Sequence, residues 1–432
     1  MPQGNQPGGA APTLLLALTA ALGLGGCQPP ASRTSEPEAT AAAGPAAQID
    51  RLNVLREADG SGFARAESAR HFEFPQDHGP HPAFRHEWWY LTGQLRATGG
   101  EVFGFELTFF RLGLLPQGVA TTPPAPLGSG PGAVSAWRTR QLYAAHFAIT
   151  DVGAEQFFSA TRYARDALGL AGAQAQPFAV HVNDWSVSQA PDPPPAAASG
   201  VMEVHWQLQA ADADYQLQLD LRADQAPVLN GAAGLSIKGD APGEASYYYS
   251  VPRLQAAGRI TRKGKTLAVS GLAWLDREWG SGSLGAQQQG WDWFALDLDD
   301  GSALMFYALR DRDGRRDPHS AGTFVDAAGH ATALANQDVD IEVLHHWISP
   351  RGGQYPAQWN VRVRSQGLQL QLTPLLADQE LATQPRYWEG AVKATGRRGR
   401  VPIRAQGYVE LVGYAQAQAS PSVPSATAPP TH

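Results

Sequence analysis

Between Tyr215 and Leu221 every second residue is large and apolar: Tyr215, Leu217, Leu219 and Leu221 alternate with Gln216, Gln218 and Asp220. A period of two sends neighbouring side chains to opposite faces, so this stretch fits a half-buried strand and does not fit a helix. Trp206-Gln207-Leu208 precedes it across a short Ala/Asp loop, which predicts a hairpin. Trp359, Val361 and Val363 face Leu368, Leu370 and Leu372 across Ser365-Gln366-Gly367 in the same way. Asp300-Gly301, set between Trp291–Leu298 and Ala303–Leu309, is the strongest local hairpin signal in the chain. Long amphipathic stretches are missing, and Arg162–Leu170 offers at best one short helix. With 12 Trp, 12 Tyr and 15 Phe against 3 Met, the composition suits strands as well. The expectation is an all-β chain. Trp89-Tyr90 leading to Thr108-Phe109-Phe110-Arg111 parallels Trp293-Phe294 leading to Tyr307-Ala308-Leu309-Arg310, which suggests two similar β units in tandem. Closed barrels hide strand edges, and small barrels with aromatic interiors hold apolar ligands.

The first 27 residues read as an export signal. Leu14–Leu24 is an apolar run of the length of a signal-peptide core and too short to span a bilayer. It ends at Leu24-Gly25-Gly26-Cys27, which resembles the bacterial lipobox, although Met1–Pro12 carries no Lys or Arg. Cys27 is the only cysteine, so it forms no internal disulfide, and the expectation is acylation there. With Gln28 following it, the resemblance implies an envelope lipoprotein, anchored in the outer membrane and facing the periplasm. Residues 28–70 begin with an Ala/Pro/Ser/Thr/Glu stretch that buries too little surface to fold and read as a tether. Residues 415–432 have a similar composition. The remainder is long for one core and divides into an expected N-terminal domain at 71–250 and a C-terminal one at 251–414, with the boundary in the Gly/Pro-containing segment Gly239–Pro252. A net charge of -7 with 17% charged residues argues against a nucleic-acid surface.

Chemistry is concentrated in three segments. Arg85-His86-Glu87-Trp88-Trp89-Tyr90, Trp274-Leu275-Asp276-Arg277-Glu278-Trp279 and Trp291-Asp292-Trp293-Phe294 all set carboxylates among tryptophans. An acid in an aromatic-walled cavity suits protonating an apolar substrate or simply holding one. Together with Phe74–His81, Tyr355–Trp359, Tyr387–Gly390 and Gly407–Leu411, these segments resemble the family that joins secreted AttH-type proteins to carotenoid 1,2-hydratases (hydroxyneurosporene synthases). The resemblance runs from about residue 70 to 414 and implies two consecutive lipocalin-like antiparallel β-barrels.

The hydratase resemblance also implies a mechanism: a carboxylic acid protonates an isoprenoid double bond, aromatic faces stabilise the cation and water adds. Burial among tryptophans would keep such an acid protonated. Asp276 is the expected acid, with Glu87 as a second catalytic candidate. Expected substrate contacts are Trp88, Trp89, Tyr90, His146, Tyr247, Tyr249, Trp274, Trp291, Trp293, Tyr307 and Trp359. Where the hydratases carry a His-x-Trp pair and a Tyr-x-Asp pair, this chain reads Tyr247-Tyr248-Tyr249 and Trp274-Leu275-Asp276. The Asp is kept and its partners are replaced, which places the chain nearer the secreted AttH-like branch.

Each feature has a structural alternative. Asp276-Arg277-Glu278 also reads as a salt-bridged barrel end, and Glu87 as a buried ion with Arg85, Arg111 or Arg310 as partner. Alternation lets only one of each adjacent aromatic pair face a pocket. Asp77, His78, His81 and His86 fit no zinc-finger or His-Glu-x-x-His spacing, so a Pro-rich turn plugging a barrel is expected there, and no metal or other cofactor. Ser281-Gly282-Ser283-Leu284-Gly285 only approaches the Gly-x-Ser-x-Gly pattern of serine hydrolases. An enzyme acting on an isoprenoid or lipid, whether hydratase or cyclase, and a non-catalytic carrier of such a ligand are the two readings that remain.

Overall fold

The computed structural model describes residues 62–116, 139–191, 204–223, 225–383 and 386–415. The expected signal segment with Cys27 lies outside them, as do most of the expected tether and nearly all of residues 415–432. The described residues form 23 β-strands and no α-helix. No helix in them is long and apolar enough to cross a membrane.

The first sheet has 13 strands. They are β1 (His86–Ala97), β2 (Val102–Gly113), β3 (Gln141–Asp151), β4 (Gln156–Arg165), β5 (Ala171–Gln174), β6 (Ala179–Val182) and β7 (Trp185–Gln189), followed by β8 (Val204–Asp212), β9 (Tyr215–Ala223), β10 (Val228–Leu229), β11 (Leu235–Ile237), β12 (Ala245–Arg262) and β13 (Lys265–Gly280). Their order is β4-β3-β2-β1-β13-β12-β9-β8-β7-β6-β5, with β10 and β11 on β12. The sheet curls until β6 lies against β2, β3 and β4 near its other end. The second sheet has 10 strands. These are β14 (Gln288–Leu298), β15 (Ala303–Asp311), β16 (Ala321–Val325), β17 (Ala331–Ala335), β18 (Val339–Ile348), β19 (Gln354–Val363), β20 (Leu368–Pro374), β21 (Glu380–Leu381), β22 (Tyr387–Arg398) and β23 (Val401–Val412). They run β17-β16-β15-β14-β23-β22-β20-β19-β18, with β21 on β22. This is the all-β, lipocalin-like double architecture that the alternation and the resemblance lead one to expect.

The three expected hairpins form: Trp206 pairs with Leu221, Trp359 with Leu372, and Trp293 with Tyr307. Gly301 closes the last of these with φ +90, a conformation that costs a residue without Cβ nothing. Two local expectations fail. Arg162–Arg165 continues β4 instead of starting a helix, because ten residues of pairing with β3 override the weak helical pattern. Residue 251 also does not open the second sheet: β12 runs through Pro252 with a register break between Val251 and Leu254, where Arg253 takes φ +56. A bulge tolerates a proline that a regular ladder would exclude. The chain therefore changes sheets between Gly280 and Gln288.

Alternation splits most of the apolar residues into three large bodies, beside a small cluster of Leu381, Tyr387 and Val412. Trp89, Leu91, Phe105, Trp185 and Trp279 fill the inside of the first curled sheet. Phe294, Trp359, Leu370 and Trp388 fill the second. Burying each such side chain contributes roughly 1.5–3 kcal/mol, so both interiors are working cores. The third body joins Tyr90, Tyr248 and Trp274 of the first sheet to Trp293, Tyr307 and Tyr408 of the second. These residues sit on the outer faces, where the two barrels meet. At Gly104 that meeting is so close that a Cβ would lie 2.6 Å from the Ala391 Cβ.

Candidate functional site

Strands β1, β12 and β13 lie side by side, pairing Tyr90 with Asp276 and Asp276 with Ser250. The side chains of Tyr90, Ser250 and Asp276 consequently share the outer face of the first sheet, turned towards the second. Asp276 is 3% exposed. Its Oδ1 accepts hydrogen bonds from Ser250 Oγ at 2.6 Å and Trp274 Nε1 at 2.7 Å, and its Oδ2 accepts one from the Tyr248 hydroxyl. The Tyr248 oxygen in turn accepts the Trp293 Nε1–H of the second barrel at 3.1 Å. Ser250 Oγ accepts from Asn230 Nδ2 at 2.9 Å, and Asn230 Oδ1 accepts from Thr323 Oγ1 at 2.7 Å, so this chain of bonds also spans both sheets. Burial pushes the Asp276 carboxyl up to about 7 despite the three donors, with Glu278 adding to the rise. The Tyr248 hydroxyl is driven well above its ordinary range, by burial first and then by the Asp276 charge. A carboxyl that titrates near neutrality therefore accepts a hydrogen bond from a phenol that keeps its proton.

Asp276, Tyr248 and Trp293 open on a cavity between the barrels of about 150 Å³. That is room for on the order of ten water molecules. Tyr90, Trp88, Trp291, Tyr307 and His146 complete much of its aromatic wall, and Tyr163, 61% exposed, stands at its mouth. These contacts are tied down. His146 Nδ1 and the Tyr387 hydroxyl lie 2.6 Å apart, Trp291 Nε1 donates to Glu410 at 2.8 Å, and Tyr90 donates to Glu389. Trp274 holds Asp276 from behind and does not line this cavity.

Besides Trp274, four expected contacts lie elsewhere. Trp89 points into the first barrel, its Nε1 bonded to the His78 carbonyl at 2.8 Å and its ring 3.8 Å from the Arg277 guanidinium. Tyr247 and Tyr249 also face that interior, on Ser68 O at 2.9 Å and His78 Nδ1 at 2.6 Å. Trp359 belongs to the core of the second barrel. Period two explains the first three: the neighbour Trp88 or Tyr248 takes the cavity side. Glu87 borders the cavity as part of a closed ionic cluster, unlike an available acid. Arg111 and Arg277 pair with it, and the His81 backbone N–H donates to it at 3.0 Å. Burial alone would raise its pKa, but the two guanidiniums and His81 outweigh burial and hold it well below the carboxylate range. His81 stacks on Trp279 at 3.7 Å and bonds Asp77 at 3.0 Å, so the Pro-rich turn is an ionic plug in the barrel end. No group of three His, Cys, Asp or Glu residues among the described residues is placed to hold a metal ion.

Pattern reading missed Tyr248, Lys238, Glu278 and His86 in the wall. Lys238 pairs with Glu278 and stands 5.1 Å from the Tyr307 ring centroid and 5.4 Å from that of Tyr248. Only the choice of face within Tyr247-Tyr248-Tyr249 could have pointed to Tyr248, and Lys238 lies beyond a three-residue strand with no readable pattern.

Comparison with known proteins agrees with this architecture. No curated protein matches the sequence. Among solved structures, an AttH protein from Nitrosomonas europaea is 34% identical, covering 82% of this chain and 100% of its own, with a TM-score of 0.69. Kievitone hydratase from Nectria haematococca is 15% identical over 82% of this chain and 98% of its own, with a TM-score of 0.57, which is a likeness of fold. The AttH-like family model matches residues 65–414, and the chain belongs to the AttH-like family.

Proposed function

We propose that this protein adds water to, or removes it from, an isolated double bond of a lipophilic, isoprenoid-like substrate held between the two barrels. The observation that carries this reading is the Asp276 carboxyl, titrating near 7 against Tyr248 in the wall of an aromatic cavity. Protonated Asp276 donates to the Tyr248 oxygen, and the Tyr248 proton passes to one alkene carbon. The tertiary cation left on the other carbon is stabilised by the faces of Trp293, Tyr90 and Trp88. Water bonds to that carbon, and its surplus proton returns through Tyr248 to the Asp276 carboxylate, so the acid is regenerated. Elimination is the same sequence reversed. The hydratase named among the fold neighbours supports the class of reaction, and its substrate is not transferred to this chain.

The test starts from the ligand. Protein beginning after Cys27, purified from its own host, is examined by native mass spectrometry with lipid extraction, and Asp276→Asn is then compared with wild type on whatever is found. The proposal expects turnover to fall by about 10²–10⁴ with binding intact. Equal behaviour of the two proteins, with ligand bound by both, would favour the second reading: a carrier of an apolar ligand, which the aromatic cavity also suits. The envelope setting is likewise a proposal, resting on Leu24–Cys27. Cys27→Ala should release the protein from the membrane fraction, and an unchanged distribution would refute the anchor.

A further inference from the structure

Among the described residues, one buried side-chain polar atom of the cavity wall has no partner. His86 is 4% exposed and lines the cavity with its ring near-parallel to that of Trp88, 5.9 Å away. Its Nε2 lies 2.8 Å from Ser283 Oγ, while its Nδ1 has no hydrogen-bond partner among the described residues. A buried polar nitrogen left empty is costly, and a site built to bond a substrate oxygen leaves such an atom bare until the substrate arrives. We propose that His86 Nδ1, oriented by Ser283, binds an oxygen function of the substrate, a hydroxyl or carbonyl, at the end of the cavity away from Asp276. This rests on the reading of the cavity as a substrate site and narrows the substrate from a hydrocarbon to an oxygenated prenyl compound.

Three observations fix the chemistry. His86 and Tyr90 are four residues apart on one strand, and Tyr90 pairs with Asp276, so oxygen site and acid are separated by roughly 13 Å along the strand. Burial, then Arg111, Lys238 and Arg85, lower the His86 pKa to about 3, so the imidazole stays neutral. When the Ser283 hydroxyl donates to Nε2, Nδ1 carries the proton and is a donor, and the surrounding positive charge favours an acceptor oxygen in front of it. The same neutrality separates this pair from a serine-hydrolase dyad: a base that resists protonation so strongly does not activate Ser283.

The probes are farnesol and the deoxygenated triene of the same skeleton, with binding read from quenching of the cavity tryptophans. Wild type should bind farnesol tenfold to a hundredfold more tightly than the triene. His86→Leu should abolish that preference while still binding the triene, and Asp276→Asn should retain the preference. Equal binding of both probes by wild type, or a preference surviving in His86→Leu or lost in Asp276→Asn, overturns the inference and leaves the hydratase reading standing. Binding of neither probe by folded protein overturns both. Should His86→Leu not fold, Ser283→Ala decides: a preference reduced several-fold is expected, and an unchanged one refutes the role.

Discussion

Replacing Asp276 with Asn should stabilise the protein, and by an amount that depends on pH. The carboxyl titrates near 7 in the fold, against 3.8 for an unburied aspartate. The folded state therefore holds this proton more tightly than the open chain does. Below about pH 4 both states are protonated and the group costs nothing. Between pH 4 and 7 the open chain ionises while the fold does not, so stability falls as pH rises. Above 7 the folded state carries a buried anion and the penalty levels off at about 4 kcal/mol. Asparagine mimics the neutral acid: its oxygen accepts from Ser250 and Trp274, and its amide donates to the Tyr248 oxygen. Groups common to both proteins cancel in the comparison, including Asp297, which burial also pushes up to about 7. Urea unfolding of wild type and Asp276→Asn at pH 4, 6, 7.5 and 9, with fixed salt, should show midpoints that coincide at the acid end and diverge towards pH 8 in favour of the variant. A difference that is flat with pH, or a wild type gaining on the variant as pH rises, would refute a strained, neutral-range acid.

Three further outcomes follow from other contacts. Tyr248→Phe should abolish turnover while preserving ligand binding, since the ring stays while the proton relay to Asp276 is lost together with the acceptor of the Trp293 Nε1–H; full activity in a steady-state assay would remove Tyr248 from the mechanism. Glu87→Gln should destabilise by about 3–5 kcal/mol above pH 5, because it strips the carboxylate from two buried arginines. The Glu87 pKa is depressed in the fold, so this loss should shrink as pH falls, which denaturant titrations at pH 3 and 7 would reveal. Gly104→Ala should cost about 1–3 kcal/mol by forcing Ala391 and the second barrel back, and an unchanged melting temperature would show that the barrels are not in close contact there.

The fold was legible because each hairpin states its own pairing: the alternation in Tyr215–Leu221 and the turn at Asp300-Gly301 need no information from elsewhere in the chain. The sheet boundary was not, since Pro252 reads locally as a break and only the bulge beside it shows that β12 continues. Asp276 stood out as a carboxylate between tryptophans. Which aromatic of each adjacent pair accompanies it could not be read, because period two separates Trp88 from Trp89 and Tyr248 from its neighbours without saying which face meets the other barrel. Trp359 went to a core for the same reason: a tryptophan on an alternating strand looks alike whether it faces a lumen or an interface. His86 was hidden differently, as its partner Ser283 lies 197 residues away.

That β1 pairs with β13 bears on the order in which the chain can assemble. His86, on the strand carrying Trp88 and Tyr90, waits for Gly280 as its neighbour. During synthesis, the first strand presents an open edge until nearly two hundred further residues have emerged, and the acid arrives with the strand that covers it. Closure over such a separation is slow and exposes apolar edges to other chains. The cavity wall is thus a late product of folding, and the nascent chain depends on being shielded from its neighbours until β13 has emerged.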